Sequence, residues 1–182
     1  NYDAGCSKGV NGPWSVQDPV HGANENILVE EVFFDHTTGS CVTCGSECIH
    51  TRNIIVRNCT VEQGQTLLQL KMRPDTPQHY EYIRIENVKG SCAAVLSCAP
   101  WTQFFDLKGR EDIPRSYGEH IVFKDLDLEC RSFANVRRVD EQYSLNDIRF
   151  EGVKVQTGRP DWERGAIDNL SVVETYINGV KQ

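Results

Sequence analysis

One short pattern recurs along this chain and limits what it can fold into. A polar residue, often Asn, precedes Ile or Leu. A β-branched or aromatic residue follows two places on, then charged residues and further apolar positions. The copies read ENILVEEVFF, RNIIVRNCTV, EYIRIENV, EHIVFKDLDL, NDIRFEGVKV and DNLSVVETYI. Their leading apolar anchors are Ile27, Ile54, Ile83, Ile121, Ile148 and Leu170, spaced 27, 29, 38, 27 and 22 residues apart. Repeats in the range of roughly 20–50 residues mark solenoids and arrays, because one such unit cannot bury its apolar face alone. Each copy alternates with the period of a strand and has no helical period. The expected fold is all-β, a right-handed parallel β-helix of about six coils, with Ile and Val stacked along its interior.

The fullest copy is Arg52–Lys71, and the rest of the chain is laid out around it. Residues 1–25 read as a loop and the remnant of a coil. Coils are expected over Asn26–Glu47, His50–Met72, Tyr82–Ser97, His120–Val136 and Asp147–Val155, with a last strand at Leu170–Ile177. The segment 73–81 is a polar loop, since Pro74 and Pro77 cannot donate to a ladder. Residues 98–119 form the longest insertion and account for the spacing of 38. Insertions on a solenoid gather on one face and tend to carry function. Residues 156–182 are a closing segment in which Gly158–Trp162 helps cover the end. All 182 residues fit one domain. The pattern starts mid-cycle, so the β-helix is expected to be truncated at its N-terminal end, with further coils or another chain covering it.

Charge narrows the partners. Nineteen basic against 26 acidic residues leave a net charge of −7, which argues against nucleic acid and against an anionic membrane surface. No apolar run is long enough to span a bilayer. An acidic ligand would need a local basic patch. Eight cysteines are present, and Cys41, Cys44 and Cys48 with His50 have roughly the spacing of a zinc site. The pattern lacks a well-spaced partner pair, and in a strand Cys41 and Cys44 point to opposite faces. Thiols buried between coils are the better account, so neither metal nor cofactor is expected.

The x-Asn-Ile-x-Val-x-Asn-Cys-Thr coils carry a resemblance, together with three longer strings. These are Thr43-Cys44-Gly45-Ser46-Glu47, the stretch Leu70–Pro77, and the stretch Pro100–Gly109. They resemble the polygalacturonases, glycoside hydrolase family 28, and within them the pectin-degrading branch of Bacteroidetes. The resemblance spans essentially the whole chain and implies a right-handed parallel β-helix that hydrolyses galacturonate-containing glycans with inversion. A pectic polysaccharide or oligogalacturonide would then be the partner, and the compartment periplasmic or extracellular.

The family's motifs are kept unevenly. Its Asn-Thr-Asp and Asp-Asp motifs, which supply the general acid and base, do not occur in this sequence. Asn1–Gly5 resembles the strand that follows the second of them. An inverting hydrolase needs two carboxyl groups flanking the bond, so the chain as given is expected to be inactive alone, the C-terminal part of an enzyme. The histidine slot of the family's Gly-His-Gly motif falls on Gly39 or Ser40, and His36 is the candidate substitute if the turn bulges. The sugar-gripping Arg-Ile-Lys motif reads Gln69-Leu70-Lys71. Gln gives no charge-assisted bidentate pair, which counts against plain galacturonan as the substrate and leaves a differently decorated pectin open. In a strand Leu70 faces inward while Gln69 and Lys71 project outward, with Arg73 at the next outward position. Lys108 and Arg110 would add to that patch, and Trp101 would stack on a sugar or anchor its loop. Glu47 is expected to bond backbone in its turn. The competing account is a non-catalytic β-helix that binds acidic glycans or serves a structural role.

Overall fold

The corners between strands explain the Asn-Ile signature. Asn26, Asn53, Tyr82, His120, Asp147 and Asn169 each precede an anchor, and each has φ between 47 and 59°. This left-handed conformation costs an ordinary residue about 1–2 kcal/mol, and Asn and Asp tolerate it best. Five residues further on, Glu31, Asn58, Asn87, Asp125 and Glu174 take φ of 48–56°. Successive corner residues also bond one another, Asn53 donating to Asn26 at 2.6 Å and Asn87 to Asn58 at 2.7 Å, while Asn169 donates at 2.8 Å to Asn146, the neighbour of corner residue Asp147.

The structure is a computed structural model that describes residues 24–46, 48–103, 106–107, 109 and 111–182. The expectations for residues 1–23, Glu47, Lys108 and Arg110 lie outside the described residues. The described chain is nearly all strand and carries no α-helix. In order it has β1 (Asn24–Glu30), β2 (Phe33–Asp35), β3 (Val42–Cys44), β4 (His50–Met72), β5 (His79–Pro100) and β6 (Ser116–Val136). These are followed by β7 (Tyr143–Glu151), β8 (Lys154–Arg159), a single 3-10 turn at Arg164–Ala166, β9 (Ile167–Asp168), β10 (Ser171–Val173), β11 (Tyr176–Ile177) and β12 (Val180–Lys181). The pairing is mostly parallel, and the path β1-β4-β5-β6-β8-β11 follows chain order. Strands of 21 to 23 residues such as β4, β5 and β6 stay paired throughout by bending at their corners.

Register follows the repeat. Ile27 pairs with Ile54, Ile54 with Ile83, Ile83 with Ile121, and Ile121 with Ile148. Two residues on, Val29, Val56, Ile85, Phe123 and Phe150 form a second file, and the last two rings stack at 4.9 Å. A third file runs Cys59–Val88–Leu126, and a fourth Leu70–Cys98–Val136. Apart from Ile27 and Val29, which are half-buried against it, these residues lie in one continuous buried core, each such side chain contributing about 1.5–3 kcal/mol. The ladder slips between Val61 and Gly64. There Gly90, at φ +122°, lies so close to Val61 that a Cβ would sit 1.9 Å from its carbonyl oxygen.

Several boundaries differ from expectation. β5 runs from His79 to Pro100 and β6 starts at Ser116, so the interval between these strands is 101–115 rather than 98–119. Cys98, Ala99 and Pro100 pair with Leu70, Lys71 and Met72, because apolar Cys98 continues the buried file. The polar loop likewise ends at Gln78. At the far end Trp162 packs on Phe133 at 5.2 Å and Phe150 at 5.9 Å. The antiparallel β11–β12 hairpin turns through Asn178-Gly179, both with positive φ, as a two-residue hairpin turn requires.

Candidate functional site

Gln69 and Lys71 lie on the last straight segment of β4, whose buried alternates are Leu68, Leu70 and Met72. Alternation therefore turns both polar side chains outward, and both are half-buried. Gln69 pairs with Thr43 on β3 and Ser97 on β5, and Ser97 with Asn135 on β6. The result is a row of outward hydroxyl and amide groups on adjacent strands, about 4.8 Å apart. Ser40 donates to Gln69 Oε1 at 3.2 Å, fixing the amide's orientation.

Lys71 is the cation of this row. Its Nζ lies 4.1 Å from the centroid of the Trp101 ring, and the Trp101 N–H donates to the Met72 carbonyl at 2.7 Å. The backbone bond brings the start of the insertion against the end of β4, and the cation–π contact joins the side chains. Gly45 passes beneath: at φ +101°, any Cβ there would meet the Lys71 carbonyl oxygen at 2.7 Å. Among the described residues, no carboxylate pairs with Lys71.

Arg73 does not continue the row, contrary to the outward position expected for it. Its side chain is 6% exposed and makes a bidentate pair with Asp75, at 2.7 and 2.5 Å. Asp75 also accepts from the Thr76 hydroxyl at 2.9 Å and from the Asp106 N–H at 2.6 Å. Burial alone would push the Asp75 carboxyl up, but the Arg73 guanidinium and these donors hold it below the usual carboxylate range. Gln78 completes the knot. Its amide accepts from the Arg73 N–H at 2.7 Å and donates to the Ser46 carbonyl at 2.7 Å. The strand ends at Met72, so alternation no longer applies to Arg73. The Arg73–Gln78 string is a buried fastening beneath the row and not part of its surface.

His36 also stands apart. It sits in the turn after β2, at φ 47°, with its backbone N–H bonded to the Glu62 carbonyl. Its exposed ring pairs with Asp35, whose carboxylate raises the imidazole's affinity for a proton. That turn is level with Glu62, whereas the row carrying Gln69 begins beyond it at Thr43.

The cysteines among the described residues are free thiols. Cys44, Cys48, Cys59, Cys92, Cys98 and Cys130 are buried and Cys41 half-buried. Burial pushes the Cys41 thiol up to about 12 and raises Cys44 and Cys98 as well. Cys92 and Cys130 approach at 3.4 Å and share a hydrogen, which raises Cys92 further. Among the described residues no cysteine joins a group able to hold a metal ion.

A second concavity, of about 360 Å3, lies where Tyr82 stacks on His120 at 4.7 Å. Its arginines are already neutralised, Arg84 by Glu86 at 3.2 Å and Arg149 by Asp147 at 2.9 Å. Sequence reasoning weighed His50 only with the cysteines and missed His79, whose ring stacks on that of His50 with the planes nearly parallel. Each stands four residues before an anchor, Ile54 or Ile83, so aligning the repeats on their anchors would have brought them together.

No model of a known protein family matches this sequence, and a search of curated proteins gives no match either.

Proposed function

We propose that the chain is part of a right-handed parallel β-helix that holds an acidic, galacturonate-containing glycan along the row Thr43–Gln69–Ser97, with Lys71 and Trp101 at its cationic end. In this reading it is the C-terminal part of a pectin-degrading, polygalacturonase-like hydrolase working outside the cytoplasm. The acid and base would come from residues beyond the 182. The observation that carries it is the Lys71 ammonium, 4.1 Å over the Trp101 ring and without a carboxylate partner among the described residues, in a chain of net charge −7. A cation kept half-buried and unneutralised in an acidic protein is suited to an anionic ligand. The neighbouring hydroxyls and amides are suited to sugar hydroxyls. The Tyr82 concavity fits an acidic sugar less well, because its own carboxylates occupy its arginines. The same row serves a non-catalytic glycan-binding module equally, and the absence of both aspartate motifs from the sequence favours that alternative for the chain in isolation.

The test is Lys71→Ala. Binding of an acidic oligosaccharide should weaken by about 1.5–3 kcal/mol, the range for a hydrogen bond to a charged group, while neutral oligosaccharides are unaffected. Stability should change by less than about 1 kcal/mol, as for an exposed cation–π contact. A sharp drop in melting temperature with acidic-glycan binding intact would make Lys71 structural and refute the assignment.

A further inference from the structure

We propose that His50, His79 and Glu81, completed by Glu119, form a binding site for a divalent transition cation of the zinc type, independent of the glycan row. Register builds it: His50 on β4 pairs with His79 on β5, and Glu81 on β5 pairs with Glu119 on β6. Two residues apart along β5, His79 and Glu81 share its outer face. The imidazoles stack with centroids 5.2 Å apart and planes 6° from parallel, and both Nε2 atoms face the Glu81 carboxylate. His50 Nε2 is 2.8 Å from Glu81 Oε1, and His79 Nε2 is 3.8 Å from Glu81 Oε2 and 2.7 Å from Glu119 Oε1. The three ligand atoms of His50, His79 and Glu81 all lie within 4.8 Å of one another. Bonds of about 2.0–2.1 Å in a tetrahedral zinc site put ligand atoms about 3.4 Å apart, so the three must close in by side-chain rotation, and Glu119, bonded to His79, must turn further to join them.

Charge and donor type point the same way. Two imidazoles and two carboxylates are the nitrogen and oxygen set that zinc accepts, and two carboxylates balance a divalent ion. The one cation in the same register row, Arg52, is paired with Glu25, and its attraction to Glu81 is the lesser one. Tyr117 packs edge-on against His79 at 5.8 Å and steadies its ring. The set is partly sheltered, with Glu81 13% and His79 32% exposed, which leaves an entry path from solvent. For binding, each Nε2 must give up its proton and carry it on Nδ1 instead. A bound ion would clasp β4, β5 and β6 together just ahead of the Arg73–Gln78 fastening.

The experiment is titration of the full, chelator-stripped chain with Zn2+, read by calorimetry and melting temperature, with Co2+ as a spectroscopic probe. The expected result is one equivalent bound, a raised melting temperature, and cobalt d–d bands without a sulfur charge-transfer band. His79→Gln should weaken binding by about 100-fold and Glu119→Gln by about 10-fold or more. Glutamine can still bond the carboxylates, so circular dichroism of the metal-free variants should be unchanged. Three results would overturn the site: no binding by the wild-type chain, equal binding by the double variant His50→Gln/His79→Gln, or a sulfur-to-cobalt band showing that the thiols are the ligands.

Discussion

Arg73 and Asp75 show how one residue changes meaning when a strand ends. A bidentate pair this buried repays its desolvation only while both partners are present. Arg73→Met should therefore cost about 3–5 kcal/mol in urea unfolding, because it strands the Asp75 carboxylate. Arg73→Met/Asp75→Leu should recover part of that loss. If Arg73→Met instead left stability unchanged and abolished glycan binding, Arg73 would belong to the outer row after all. The pair also sets an acid limit. The Asp75 carboxyl titrates below its unfolded value, so its contribution is complete above about pH 3.9, the ordinary aspartate value. The contribution is lost as pH falls further through the folded pKa. Arg73→Met/Asp75→Leu should show a shallower loss of stability below that pH than the wild-type chain.

At the scale of the element, the corners and the thiols are the features to probe. Asn58 has φ 55° and accepts from Asn87. Asn58→Val should destabilise by about 1–2 kcal/mol more than Asn58→Gly, since a β-branched residue pays the full left-handed penalty and Gly does not. Equal melting temperatures for the two variants would mean that the corner is not strained. The buried thiols should resist an aromatic disulfide reagent in the folded chain and react only on unfolding. Rapid native-state reaction of Cys44 or Cys98 would contradict their burial. The strands were legible because the anchors Ile27, Ile54, Ile83, Ile121 and Ile148 repeat the same two-residue alternation, and parallel stacking turns that repeat into register. Leu70 inward with Gln69 and Lys71 outward was legible for the same reason. Arg73 was not, because periodicity carries no information past Met72, where Pro74 begins a loop held by side-chain bonds. Nor was the Lys71–Trp101 contact, since 30 residues of sequence separate two positions that the ladder makes neighbours. The two-histidine stack was encoded in the repeat phase but hidden while the nearby cysteines drew the metal argument to themselves.

At the scale of the whole molecule, mostly parallel strands carry an outward row beside Lys71, a cation that no carboxylate among the described residues neutralises. The chain alone should release no reducing sugar from galacturonan, because an inverting hydrolase requires two flanking carboxyl groups and neither aspartate motif is present. Measurable release would place an acid and a base among these residues. The central claim, that the row recognises the charge of an acidic sugar through Lys71, is tested most directly by comparing two ligands of one shape. The measurement is isothermal titration of the wild-type chain with an oligogalacturonide and with its methyl ester, at low and at raised salt. The free acid should bind more tightly than the ester by about 1.5–3 kcal/mol, and salt should narrow the difference as it screens the exposed charges. Equal affinity for acid and ester, or no binding of either, would contradict the account.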